Sequence, residues 1–124
     1  MIAMKKLVIA LFVAVLIAGC TAQPAPTGAA VMDGQILEFY GAECPHCMNM
    51  EPVVAQVEQD LGFNVTKYEV WHDDANREIF MQYADIVSPA CGGGLGVPAF
   101  VNTKTRKAAC GEMTADELKA FVTG

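Results

Sequence analysis

Hydrophobic and polar positions fall into distinct patterns along this 124-residue chain. Leu7 to Ala18 is an unbroken apolar run. The stretch QILEFY at residues 35–40 is compact, apolar and rich in β-favouring side chains, which predicts a strand with Ile36, Glu38 and Tyr40 on one face. From Pro45 to about Leu61, the residues Val53, Val54, Val57 and Leu61 recur at helical spacing; Pro45 suits a first helical turn and Gly62 stops the helix. Asn64 to Trp71 reads as a second strand, and Asp73 caps a second helix through about Ile86, stopped by Pro89. Val97–Val101 and Lys107–Cys110 are two further strands joined by a polar turn from Asn102 to Arg106. Thr114 and Glu117 form a capping box for a last helix buried through Leu118, Phe121 and Val122. The order β-α-β-α-β-β-α predicts an α/β domain, a mixed central sheet with helices on both faces.

The apolar run at the N-terminus is too short to span a bilayer comfortably, and Lys5 and Lys6 precede it, the layout of a secretory signal. Its end, Leu16-Ile17-Ala18-Gly19-Cys20, resembles a prokaryotic lipoprotein signal box. That resemblance implies cleavage before Cys20 and a lipid on its sulfur. The expected organisation is a signal peptide at 1–19, a lipidated Pro/Ala/Thr-rich tether at 20–33 and one folded domain at 34–124. The domain is then extracytoplasmic, lipid-anchored to a prokaryotic membrane at the periplasm or cell surface.

Composition narrows the function. Apolar residues make up 53% and charged residues 18%, so the chain is no disordered tail. Formal charge is −6, and setting aside Lys5 and Lys6 leaves 6 basic residues against 14 acidic ones, or −8. A domain so acidic has no electrostatic footprint for a phosphate backbone, and nucleic-acid binding is excluded.

Of the five cysteines, Cys20 is assigned to the lipid, leaving Cys44, Cys47, Cys91 and Cys110. In an exported domain these can hold disulfides. Cys44-Pro45-His46-Cys47 lies between the first strand and the first helix, and a Cys-x-x-Cys motif beside a βαβ pattern reads as a dithiol redox site. Two cysteines at that spacing place both sulfurs within bonding reach. The first, expected to be the more exposed, meets the unpaired N–H groups and positive dipole end of the helix, which lower a thiolate pKa. A protonated or donating His46 would add to that stabilisation. His72 reads as a solvated loop histidine. Met48 and Met50 beside His46 have the softness for Cu(I), but methionines there more readily line an apolar peptide-docking surface or the helix core. No metal or other cofactor is assigned.

Residues 35–124 resemble a thioredoxin-fold protein at several positions in order. The strand Ile36–Tyr40 followed by Cys-Pro-His-Cys resembles the DsbA-type oxidants, which share the Pro-His dipeptide. Pro52 resembles the proline inside the first thioredoxin helix, Gly96-Val97-Pro98 the loop whose proline is cis and faces the dithiol, and Gly111 the glycine before the last helix. Two departures stand out: Glu43 occupies the place of the thioredoxin tryptophan, and only 24 residues separate Trp71 from Gly96, too few for a helical insertion domain.

The resemblance implies roles. Cys44 forms the mixed disulfide with a client and Cys47 resolves it. Glu38 lies buried beneath Cys47 and moves its proton, while the Val97 backbone, ahead of a cis Pro98, pairs with an extended client. Cys91 and Cys110 would approach each other near the active-site edge, as a structural staple or as a redox relay. The implied activity is a protein-disulfide oxidoreductase acting on client thiols or disulfides, in the oxidising direction. It is expected to be a monomer served by an unidentified membrane redox partner. The alternatives are an extracytoplasmic reductase with the same site, or a copper- or zinc-binding lipoprotein.

Overall fold

The structure is a computed structural model that describes residues 30–124. The signal segment, Cys20 and the tether through residue 29 lie outside the described residues. Among the described residues no helix is long and apolar enough to cross a membrane.

A four-stranded mixed sheet in the order β2-β1-β3-β4 forms the centre. Strand β1 (Ile36–Tyr40) pairs parallel with β2 (Thr66–Glu69) and antiparallel with β3 (Ala99–Asn102), which pairs antiparallel with β4 (Lys107–Cys110). The parallel pair is connected through α1 (Pro45–Leu61), because parallel strands need a long crossover. Alternation along the strands feeds two cores. Ile36 and Phe100 face α1 and the C-terminal helix α4 (Ala115–Thr123), packing with Met50, Val54, Val57, Leu118 and Val122. Leu37, Phe39, Ala99 and Val101 face the opposite layer with Phe80 and Val87. With both faces covered, the first four residues of β1 are all buried.

Helix ends follow local chemistry. Gly62 closes α1 at φ 69°, a left-handed conformation that costs glycine little. Thr114 and Glu117 form a reciprocal capping box at the start of α4.

The second helix departs from the sequence pattern. Instead of one helix to Ile86, the chain forms α2 (Asp74–Met81) and α3 (Ala84–Ala90). The element order is therefore β-α-β-α-α-β-β-α. The break has a packing cause: Phe80 stacks on Phe39 at 4.5 Å between ring centroids, and Tyr83 reaches the same ring at 6.0 Å. Placing both rings over one sheet residue tightens the chain into bonds from Gln82 N to Ile79 O and from Tyr83 N to Phe80 O. Pro89 does not stop α3 but sits exposed in its last turn, where its missing N–H leaves only the Asp85 carbonyl without its helical donor. Strand β2 is shorter than the stretch Asn64–Trp71 that announces it: its ladder with β1 runs from Thr66 to Glu69, and Val70 N adds one last bond to Tyr40 O at 2.8 Å. Strand β3 starts at Ala99 rather than Val97 and runs one residue further, to Asn102, where it pairs with Ile36.

Candidate active site

Strand β1 ends at Tyr40 and points the chain into the loop Gly41-Ala42-Glu43, which delivers Cys44 to the N-terminus of α1. Cys44 is the N-cap: its backbone is extended and its sulfur accepts the Cys47 N–H at 3.2 Å. Pro45 follows in the first turn, where no N–H is missed. Cys44 and Cys47 are joined as a disulfide, their Cα atoms 5.2 Å apart. A sulfur in this position receives both a directed N–H and the positive end of the helix, and each favours a thiolate.

The two sulfurs are not distinguished by exposure: Cys44 and Cys47 are each 3% exposed. The expectation of a more open Cys44 is corrected here. Its cover is the loop before β3, where the Val97 carbonyl oxygen lies 3.9 Å from Cys44 Sγ. The Val97–Pro98 peptide bond is cis. Sheet pairing starts only at Ala99, so Val97 stands just ahead of the ladder. The Pro98 carbonyl is held by Gly111 N at 2.8 Å, which fixes this loop to the end of β4.

The same loop is anchored from its other end. Cys91, closing α3, is bonded to Cys110 at the end of β4, with Cα atoms 5.1 Å apart. Gly96 passes beside this bridge, where a Cβ would stand 3.4 Å from Cys110 Sγ. Gly92 and Gly93 turn the chain at φ 81° and 115°.

Beneath the dithiol, Glu38 is 2% exposed on the α1 side of the sheet. It lines a hollow of about 80 Å³ together with Tyr40, Cys47, Glu51 and Lys67. The parallel register sets Lys67 beside Glu38, Nζ 3.6 Å from Oε2, and that oxygen has no hydrogen-bond partner. Burial pushes the Glu38 carboxyl above its usual range, and Lys67 opposes the shift only in part. A carboxyl that holds its proton more tightly than usual, in one cavity with Cys47, can pass a proton to or from that sulfur.

The histidines are engaged by carboxylates. His46 Nδ1 lies 2.9 Å from Glu112 Oε2, and both side chains are largely solvated. The His46 contact is the first cause of a lowered Glu112 pKa. His72 Nε2 pairs with Glu43 at 2.8 Å, and this hydrogen bond raises the His72 pKa. His72 is thus exposed but tied to the residue preceding Cys44.

Glu69 was not singled out from the sequence, because a glutamate at a strand end carries no pattern. Its carboxylate accepts from Ala42 N, Trp71 N and His72 N at 3.1, 3.0 and 2.8 Å, lashing the Cys44 loop to the end of β2. Desolvation opposes its charge, yet the three N–H groups hold its pKa below the usual carboxylate range.

Among the described residues no cluster of three or more His, Cys, Asp or Glu side chains is arranged to hold a metal ion. Met50 is buried in the core with its sulfur accepting Met113 N at 3.2 Å, while Met48 is exposed. The two methionines therefore do not converge.

No family model matches this chain. No curated protein matches it either. Among solved structures, the crystal structure of a glutaredoxin from Methanosarcina mazei Go1 superposes with a TM-score of 0.52 at 14% sequence identity, covering 77% of this chain and 84% of that one. The likeness establishes the fold, a thioredoxin-like mixed four-stranded sheet between helical layers. In this chain a bonded Cys44–Cys47 pair stands at the head of the first helix.

Proposed function

We propose that this chain is a thiol–disulfide oxidoreductase that works outside the cytoplasm, held to a membrane by a lipid on Cys20. The observation carrying this reading is the placement of bonded Cys44 and Cys47 at a helix N-cap directly under the Val97 carbonyl.

In the oxidising direction, a client thiolate attacks Cys44 Sγ. The Cys44–Cys47 bond breaks, a client–Cys44 disulfide forms, and Cys47 leaves as a thiolate. Glu38, in its protonated form, supplies the proton to Cys47. A second client thiolate then attacks the client sulfur of the mixed disulfide and releases the Cys44 thiolate. Two electrons pass from client to protein, and the client gains one disulfide. The N-cap hydrogen bond and the helix dipole stabilise the departing Cys44 thiolate, which favours the reduced protein and hence oxidation of clients. An extended client would pair with the backbone of Val97, ahead of the first sheet bond. Recycling needs a membrane partner that accepts two electrons from the dithiol. Cys91–Cys110 acts as a staple for the loop that carries Val97.

The test is a trapping experiment with Cys47→Ser that runs the exchange in reverse: the Cys44 thiolate attacks a client disulfide, one client sulfur leaves as a thiolate, and with no Cys47 thiol to displace the client the mixed disulfide persists. Mixed disulfides between Cys44 and client proteins should accumulate in exported fractions and disappear in Cys44→Ser. No trapped species, or trapping that survives loss of Cys44, contradicts the assignment.

A further inference from the structure

We infer that the client segment beside the reactive cysteine carries an apolar residue followed by a basic one, received by a trough running from Val97 along α2. This inference rests on the oxidoreductase reading and specifies its substrate class.

The trough begins at the dithiol, since Val97 both covers Cys44 and lines a hollow of about 240 Å³. Trp71, Phe80, Met81 and Leu95 form much of its wall. Of the five large apolar residues left exposed among the described residues, three (Trp71, Met81 and Leu95) converge here. Exposed apolar residues scattered singly need no explanation, but a cluster next to a reactive site does.

Beyond Met81 and Arg77 the surface continues into a second hollow of about 320 Å³, whose other lining residues are Asp74 and Glu78. Both carboxylates are exposed. Arg77, the cation lining both hollows, is already committed. It pairs with Asp74 at 2.9 Å and donates to the carbonyls of Val70 and Trp71 at 3.1 and 3.0 Å. Glu43 adds a carboxylate next to Cys44, shared with His72, and Glu69 and Asp73 lie on the same side. At the dithiol end Lys67 is set against Glu38 and Glu51 in the hollow under Cys47. Lys104 and Arg106 on the β3–β4 turn and Lys107 at the start of β4 lie where Asn102 pairs with Ile36, at the sheet end remote from Tyr40 and the dithiol. The field at the dithiol end is therefore negative, and it complements a cationic polypeptide while opposing a small anionic thiol such as glutathione.

The test uses the full chain in its oxidised form and two synthetic peptides. Each holds one cysteine followed by leucine, and they differ only in a later lysine or glutamate. The ratio of their second-order rate constants for attack on the Cys44–Cys47 bond is read on the same protein in a single turnover, so any general loss of reactivity cancels. The lysine peptide should react about tenfold faster at low ionic strength, shrinking to about twofold in roughly 0.5 M salt. In Asp74→Lys/Glu78→Lys the preference should invert.

Equal rates on the unaltered protein, or a preference untouched by the double substitution, overturn the inference while leaving the oxidoreductase reading in place. So does a protein that self-associates through this face, seen as a dimer that Met81→Asp makes monomeric. If neither peptide nor a small uncharged disulfide exchanges with Cys44, the oxidoreductase reading itself falls, and the inference with it.

Discussion

The indole of Trp71 lies so close over Gly41 that a Cβ at that position would overlap the ring carbons Cδ2 and Cε2. Gly41 in turn starts the loop to Cys44, accepting the Cys44 N–H at 3.1 Å. The sole tryptophan of the chain is thus built into the support of the dithiol. Gly41→Ala should force the ring away and cost about 1–3 kcal/mol, the usual range for overpacking. Denaturant unfolding measures the loss. Tryptophan emission of the folded variant should also shift red as the ring becomes more solvated.

Glu38→Gln should stabilise the protein at neutral pH. Its native pKa is raised by burial, so the native state binds the proton more tightly than the unfolded chain. The cost of ionising it is absent below the ordinary carboxylate pKa, grows as pH rises, and is complete once pH exceeds the native value. The variant's advantage, about 1–3 kcal/mol at pH 8 by the cost of an imperfectly satisfied buried polar group, should vanish near pH 4. Thermal unfolding of both proteins across this range checks the sign. The same variant should slow release of Cys47 during exchange, since the amide cannot supply a proton.

Replacing Cys91 and Cys110 together by alanine should destabilise the domain by roughly 3 kcal/mol, the chain-entropy value for a loop of this size. Urea unfolding under oxidising conditions gives the difference. Hydrogen exchange should rise between Gly92 and Val97 more than in α1, because the bridge and Gly111 N hold opposite ends of that loop.

His72 should titrate above the ordinary histidine range and return toward it in Glu43→Gln, because the Glu43 hydrogen bond and charge are the main causes of its shift. The pair's small contribution to stability is present below the ordinary histidine pKa and is lost as pH rises through the elevated one. Chemical shifts of the His72 ring, followed against pH in both proteins, settle the direction.

Much of this architecture was legible because its signals are local. The N-cap cysteine with Pro45 behind it, the Thr114–Glu117 box and the terminating Gly62 each depend on neighbours within four residues. Lys107–Cys110 was readable as a strand, and the alternation in β1 placed Glu38 on the same face as Ile36, the face that packs on α1. What escaped the sequence depends on contacts between distant segments. The break between α2 and α3 follows from two aromatic rings meeting Phe39, some forty residues earlier in the chain. The burial of Cys44 is set by Val97, and the role of Glu69 by three N–H groups from two separate loops. The aromatic cover of this loop comes from Trp71, two residues past β2, a contact that only the folded chain reveals.

The most direct measurement is a redox titration of the intact protein, with free thiols alkylated and located by mass spectrometry at each potential. Cys44 and Cys47 should open and close together as a two-electron couple at a potential above about −200 mV, on the oxidising side of glutathione, while Cys91–Cys110 stays closed throughout. A Cys44–Cys47 pair that resists reduction across the whole range, or exchanges no disulfide with a client thiol once oxidised, would contradict the account.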